Sequence, residues 1–430
     1  MILRDPVHGL VAFEGPEEGV VEALMDTPEV QRLRRIRQLG VASLAFPGAE
    51  HSRFVHALGS AFVMKQLLVR LRTLQDSLPR AQHVTLERGR EALAAAFLHD
   101  LGHGPLSHLF EDSIPGAPAH ETWTERIVLD PSTGVNRVLS TIDSGLPARV
   151  ADLVRGRHPL AYLARAVSGE FDVDRCDYLL RDAHATGVRY GLYDLDWLLR
   201  SLRFAPRTNE ESAPALAIDG AKGLPAIEAF ITARLFMFQQ VYLHKATRSA
   251  EWMIRTILGR AVEVIRGGVR LDATPAAVLT GARQDSIDLG DYLDLDDGVL
   301  WGAIHAWEGA SDKPLADLCK RIRARALFKT IELFGDQASP SGRALVLGMA
   351  RDIAKRRGYE PDTHVGIDVA SDEPFAGGEA PFMVVYAKGP ARPLHEVSFL
   401  LGRLAGQVLS RSRLVLAPEL RDPVTDALGF

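Results

Sequence analysis

Phe97-Leu98-His99-Asp100-Leu101-Gly102-His103-Gly104-Pro105-Leu106-Ser107-His108 is the densest run of ionisable residues in the chain, and it continues the apolar stretch Glu91-Ala92-Leu93-Ala94-Ala95-Ala96. A helix with so little polar surface is buried on most sides. A His-Asp pair at its end therefore costs desolvation unless something pairs with it. A divalent metal is such a partner, and neutral imidazole with carboxylate suits Zn, Fe or Mn. A lone His-Asp dipeptide is a weak signal, because a hydrogen-bonded histidine at a helix C-terminus explains it as well. Its company strengthens it. Upstream, Arg53-Phe54-Val55-His56 puts an imidazole at the start of another apolar helix; downstream, Asp172-Val173-Asp174-Arg175-Cys176-Asp177-Tyr178 stacks carboxylates where an ordinary helix carries few. One histidine, the His-Asp pair and one of these aspartates complete four ligands.

Around this run, apolar residues recur at three- and four-residue steps over 19–39, 55–74, 88–99 and 224–265, which predicts a mainly α body. Weaker strand patterns at 201–206 and 214–218 flank the polar segment Arg207-Thr208-Asn209-Glu210-Glu211-Ser212, as in a small β-hairpin excursion. Beyond residue 326, strand-like segments at 327–333, 363–369 and 382–388 alternate with helical ones at 341–357 and 393–410. These predict a C-terminal α/β lobe, 326–430, packed on a helical domain, 1–325. The Gly/Pro/Asp-rich stretches 285–298 and 370–381 read as loops or lids.

A length of 430 residues favours one large core with a smaller satellite. Apolar residues at 47% and charged residues at 24% describe a globular chain with a substantial interior. The net charge of −5 offers no global attraction to nucleic acid or to an anionic membrane, so a polyanion needs locally clustered cations. Cys176 and Cys319 are too few for a disulfide framework, which fits a reducing, cytoplasmic location. Met1-Ile2-Leu3-Arg4-Asp5-Pro6 lacks a basic-then-apolar leader, and no run of about 18 apolar residues occurs; both disfavour export and membrane spanning.

Longer motifs follow one another in order: Asp5-Pro6-Val7-His8-Gly9, Asp26-Thr27-Pro28, Gln31-Arg32-Leu33-Arg34, Gln38-Leu39-Gly40, Phe46-Pro47-Gly48-Ala49, Arg53-Phe54-Val55-His56, the 99–108 run, Asp172 to Tyr178, and Tyr242-Leu243-His244-Lys245. Over roughly residues 1 to 335 the chain resembles the HD-domain dNTP triphosphohydrolases, and among them the sterile-alpha-motif-and-HD-domain type without its sterile-alpha-motif domain. The resemblance makes His56, His99, Asp100 and Asp174 the ligands of one divalent transition metal, with Mg or Mn accompanying the nucleotide. It implies hydrolysis of a dNTP at the α-phosphorus to deoxynucleoside and tripolyphosphate. His103, His120 and Glu111 take the acid–base positions, Glu111 standing where the family usually has Asp.

Arg53, Arg175 and Arg234 fall at triphosphate-binding positions and His108 at an α-phosphate contact. Gln38, Tyr178 and Asp182 fall around the 3′-hydroxyl of the sugar, Leu39 at a further substrate-binding position, and Tyr242 against C2′, where it filters out ribonucleotides by packing. Phe238 stands where the family has histidine. Asp26, Gln31, Arg34, Arg325, Leu327 and Lys329 match one effector pocket, and Lys222, His244 and Lys245 an adjoining one. These imply a GTP or dNTP effector at a subunit interface of a homo-dimer or homo-tetramer, stabilised by mass action; Met1, Arg4 and Ala226 depart from that pattern. Two other readings stand beside this one. The metal site can serve another nucleotide or phosphoester, or the chain is a catalytically weak nucleotide sensor or nucleic-acid binder. For the latter, Arg32-Leu33-Arg34-Arg35-Ile36-Arg37 is either the binding helix or a solvated helix face.

Overall fold

The computed structural model describes residues 1–169, 171–206, 213–373, 375 and 382–429. The predicted hairpin loop 207–212, and the part of the 370–381 stretch at 374 and 376–381, lie outside the described residues. The fold is mainly α. Its centre is the helix Arg53–Leu74, buried on almost every side and packed against the helices Leu86–Leu98 and Val173–Thr186. Both neighbours start at capped positions: Thr85 accepts from Arg88 N, and Asp172 from Arg175 N, each satisfying an orphan amide of the first turn. Arg53–Ser77 is long and apolar enough to cross a membrane, but 67% of its apolar 18-residue window is buried inside the fold, as in a core helix.

Two predicted helices are divided. The 19–39 run becomes Gly19–Met25 and Pro28–Arg32 followed by a 3₁₀ turn, because Thr27 is extended and Pro28 starts a new helix at its first position. The 224–265 run becomes Leu224–Met237 and Lys245–Arg266, separated by a π turn over Phe238–Tyr242. His244 then caps the second helix, its Nδ1 accepting from Ala246 N at 3.3 Å. A π turn is a single bulge within an otherwise helical run, so three- and four-residue apolar steps on either side of it do not reveal the break.

The strands are β1 (Ile2–Asp5), β2 (Gly9–Ala12), β3 (Leu202–Phe204), β4 (Leu216–Asp219), β5 (Lys329–Leu333), β6 (Val365–Asp372), β7 (Met383–Val385), β8 (Arg392–Pro393) and β9 (Leu409–Leu416). The β3–β4 hairpin is not an isolated excursion. β7 adds to β4 in parallel and β8 adds to β7, so one sheet joins chain segments about 170 residues apart, Ala217 pairing with Met383. The other C-terminal strands form an antiparallel sheet in the order β5-β9-β6, with Leu414 between Ile331 and Ile367.

The predicted helix 393–410 is replaced by two short helices, Leu394–Val397 and Phe399–Leu404, and then by β9. Gly406, at φ +69°, turns the chain out of the helical path. One apolar cluster surrounds Arg53–Leu74, and a second surrounds Lys245–Arg266. Residues beyond 326 feed both, Val384 and Leu394 the first, Leu414 to Leu416 the second.

The 285–298 stretch is loop only in part, over residues 285–288 and 294–296. It holds the short helix Leu289–Leu293 and the start of Asp297–Ala306, with Tyr292 and Leu295 buried. Its aspartates suggested a loop, yet Asp296 is a helix cap that accepts from Val299 N at 3.0 Å.

Candidate active site

His56 lies in the first turn of Arg53–Leu74, His99 and Asp100 just past the end of Leu86–Leu98, and Asp174 in the first turn of Val173–Thr186. Packing these three helices brings ligand atoms of His56, His99 and Asp174 within 4.8 Å of one another, with Asp100 beside them. His56 Nε2 is 3.0 Å from Asp174 Oδ1 and 3.3 Å from His99 Nε2, and His99 Nε2 is 3.4 Å from Asp174 Oδ1. Asp100 closes the group, 3.7 Å from His56 Nε2 through Oδ2 and 3.5 Å from His99 Nε2 through Oδ1. Metal bonds of about 2.1 Å at tetrahedral or octahedral angles put neighbouring ligand atoms about 3.0–3.4 Å apart.

The tautomers agree. Asp177 Oδ2 accepts from His56 Nδ1 at 2.7 Å, and the Ala96 carbonyl accepts from His99 Nδ1 at 2.9 Å. Both Nε2 lone pairs therefore face each other and the two carboxylates, a convergence of acceptors that a cation satisfies. Burial opposes an imidazolium at His56, but hydrogen bonds to Asp174 and Asp177 outweigh it and push the pKa up to about 10. The site demands positive charge.

Asp177 is fully buried and accepts from Arg181 Nε and Nη2, each at 2.8 Å, and from His8 Nε2 at 2.6 Å as well as from His56. Arg181 Nη1 in turn donates to Asp5 Oδ2 at 2.8 Å. The β1–β2 turn, held by Asp5 Oδ1 accepting from Val7 N and His8 N, is thus fastened to the metal site from behind. A Cβ on Gly59 would stand 1.8 Å from Asp177 Oδ1, so this helix can pass only without a side chain there. Sequence reasoning assigned no role to His8, Asp177 or Arg181. The signal was present, since Asp174, Asp177 and Arg181 recur at steps of three and four on one helix face.

A second group adjoins the first: His103, His108, Glu111 and His120 offer ligand atoms within 4.8 Å of one another. The rings of His103 and His120 stack, with centroids 3.8 Å apart and planes 13° apart. An ion bound by imidazole lies in the ring plane, and one ion cannot lie in both of these planes. The group suits proton transfer instead. Burial, and then the Arg53 guanidinium, hold the His103 pKa well below the ordinary imidazole value, which keeps this ring neutral. Glu111 Oε1 contacts His108 Nδ1, and Oε2 accepts from His120 N at 2.7 Å. The side chain of Glu111, a methylene longer than aspartate, spans the two histidines.

A cleft of about 640 Å³ opens over both groups. Of the predicted substrate residues it is lined by Gln38, Leu39, Arg53, His108, Tyr178, Asp182 and Tyr242. Tyr242 O–H donates to Asp182 Oδ2 at 2.7 Å, and the Tyr178 and Phe238 rings flank Tyr242, making an aromatic wall. Gln38 Oε1 is buried without a partner, an acceptor turned to no protein donor among the described residues. Arg53 contacts Asp100 Oδ2 through Nη1 and donates to Ser107 Oγ at 2.8 Å. Thr247, Arg248, Glu251 and Arg255, which sequence reasoning did not foresee, line the cleft from the Lys245–Arg266 helix.

Residues 194–427 match the HD associated region family. The chain is 33% identical, over 97% of its length and 92% of the relative's, to the uncharacterized protein YwfO of Bacillus subtilis. It is 26% identical over 84% of its length to the human deoxynucleoside triphosphate triphosphohydrolase SAMHD1, of which it spans 57%. Its fold superimposes on a phosphohydrolase from Bacteroides thetaiotaomicron with a TM-score of 0.80 at 28% identity, covering 97% of this chain and 99% of that one. The chain belongs to the HD-domain phosphohydrolases.

The remaining predicted residues of the phosphohydrolase are not among those that line the cleft. Arg175 Nη1 contacts Asp172 Oδ2 and the Gly169 carbonyl, and Arg234 Nη2 donates to Asp372 Oδ1 at 2.9 Å. Both arginines line a separate apolar cavity of about 140 Å³ with Phe171, Phe230 and Phe375. Gln31 accepts from Arg34 Nε at 2.9 Å, and Arg34 lies over the Phe54 ring; Asp26 is exposed at the end of Gly19–Met25.

Arg325 donates to the Leu44 carbonyl at 2.8 Å and His244 packs on Phe46, so both reach the 42–46 turn. Lys245 and Lys329 are exposed and Leu327 is half-buried. Lys222 lies in the turn against Trp197, its carbonyl accepting from the indole at 2.9 Å. Within the 32–37 run, Arg32 is buried and donates to the Leu295 and His103 carbonyls, Arg35 pairs with Asp296 and Arg37 with Glu50.

Proposed function

We propose that this phosphohydrolase is a metal-dependent dNTP triphosphohydrolase, converting dNTP and water to deoxynucleoside and tripolyphosphate. The observation that carries the reading is one cleft lined by Asp100 and Asp174 of the candidate ligands, by the stacked His103–His120 pair and by Gln38, Tyr178, Asp182 and Tyr242. His56, His99, Asp100 and Asp174 hold the metal, whether Fe, Mn or Zn. Once bound, that metal polarises a phosphoryl oxygen and lowers the pKa of water. His120, steadied by Glu111, supplies the proton to the leaving 5′-oxygen. Gln38 Oε1 accepts from the 3′-hydroxyl, and Tyr242, held by Asp182, fills the space a 2′-hydroxyl needs. The human relative's name points to the same substrate class. Control by a GTP or dNTP effector between subunits belongs to this proposal and rests on the matched positions around Gln31, Arg34, His244 and Arg325.

One observation favours a second reading, a shorter phosphoester. Arg175 and Arg234, matched to triphosphate-binding positions, are engaged by Asp172 and Asp372 beside a different cavity. Product analysis decides. Protein loaded with Mn²⁺ or Mg²⁺ is incubated with each dNTP, with and without GTP, and tripolyphosphate with free deoxynucleoside is expected. Free phosphate with a nucleoside diphosphate, or turnover of monophosphates alone, selects the second reading. Tight GTP binding without turnover indicates a nucleotide sensor.

A further inference from the structure

The 285–298 stretch packs behind the catalytic loop. Tyr292 O–H donates to the Gly102 carbonyl at 2.6 Å, and Asp297 is 5% exposed at the start of its helix. Asp297 Oδ2 accepts from Arg37 N at 2.9 Å and Oδ1 from Leu106 N at 2.8 Å. These amides belong to two separate segments that supply cleft walls, Gln38-Leu39 on one side and Leu106-Ser107-His108 on the other. The second wall is strained: Leu106 and Ser107 have φ of +56° and +61°, a region unfavourable to residues with a Cβ. Such a conformation persists only where its surroundings over-determine it. Ser107 Oγ lies 3.3 and 3.4 Å from the Arg37 and Gln38 carbonyls and accepts from Arg53, so the two walls meet at this residue as well.

We propose that Asp297 is a positioning residue of the active site, a single buried carboxylate of the HD associated region that sets the spacing between the Gln38 and His108 walls. It touches neither the metal ligands nor the cleft. Its effect on nucleotide affinity rests on the function proposed above; its effect on the two walls does not.

The test uses the full chain loaded with Mn²⁺. Asp297→Asn keeps the shape but turns one acceptor into a donor facing a backbone N–H, and losing a hydrogen bond to a charged group corresponds to roughly a tenfold or larger effect. Hydrogen exchange of segments 36–40 and 103–109 is expected to quicken about tenfold, with helix 53–74 and the Mn²⁺ content unchanged. KM for the fastest-turned-over dNTP rises about tenfold while kcat stays within about threefold. Ile304→Val, buried on the same helix, lowers stability and leaves both segments and KM as they were. Should Asp297→Asn not fold, Asp297→Ser, which withdraws both acceptors without setting a donor against an N–H, loosens the same segments. Unchanged exchange in both segments overturns the proposal. So does faster exchange with unchanged KM, or an equal KM shift in Ile304→Val. If the wild type hydrolyses no dNTP, the nucleotide reading fails, and the exchange data alone decide the role of Asp297.

Discussion

Two histidine–carboxylate groups adjoin one cleft, and the orientation of their rings separates them more than their residue types do. Around His56, His99, Asp100 and Asp174, every Nδ1 is occupied from behind and every Nε2 faces inward, so lone pairs meet at a point. Around His103, His108, Glu111 and His120, two rings lie face to face and one carboxylate reaches two neighbours, so no point is common to all the lone pairs. The first arrangement suits an ion; the second suits proton transfer. What separates them is the fixing of each ring by a group behind it.

The largest effect tests the first group. Asp174→Ala removes an inward carboxylate and is expected to abolish metal binding and turnover together, at least about a thousandfold in rate, since a catalytic metal supplies several kcal/mol. Metal analysis beside the product assay checks it. Next, His120→Ala is expected to keep full metal content while slowing turnover about 10²–10⁴-fold, the usual worth of a positioned acid or base. If His120→Ala loses metal as completely as Asp174→Ala, the distinction between the two groups is wrong.

A smaller effect probes what stands behind the first group. Asp177→Asn leaves an amide where His56, His8 and Arg181 all donate, and metal affinity in a chelator competition should fall about 10–100-fold. An unchanged affinity would show that helix packing alone orients His56.

The grouping of His56 and His99 with Asp174 was legible in the sequence because such residues are rare in an apolar setting and because long motifs surround them. Asp177 was harder to see, since a buried carboxylate that holds a ligand looks in sequence like any helical aspartate. The split of the 224–265 helix was invisible to periodicity, and the Tyr242 wall stands at that break. Composition misread 285–298 in part, because capping aspartates and loop aspartates are the same letters. Family position placed Arg175 and Arg234 at the phosphates but carried no information about Asp172, three residues away, or Asp372, which only the β6 strand brings near. The parallel pairing of β7 with β4 depends on contacts between distant segments that no local pattern records.

The smallest effect concerns Glu111, where this chain departs from its family. An aspartate there is one methylene shorter, and this backbone is built around the longer side chain: Oε2 reaches the His120 amide across nine residues while Oε1 meets His108. Glu111→Asp, nominally a return to the family residue, is therefore expected to slow turnover by several-fold to about tenfold, because shortening the side chain gives up one of two charge-assisted hydrogen bonds. Metal content should not change, since Glu111 contacts none of the four ligands, and Glu111→Gln, which keeps the length, should cost less if reach matters more than charge. A rate for Glu111→Asp equal to or above the wild type would mean that the loop relaxes freely around position 111, and that the second group owes its geometry to ring stacking rather than to the carboxylate.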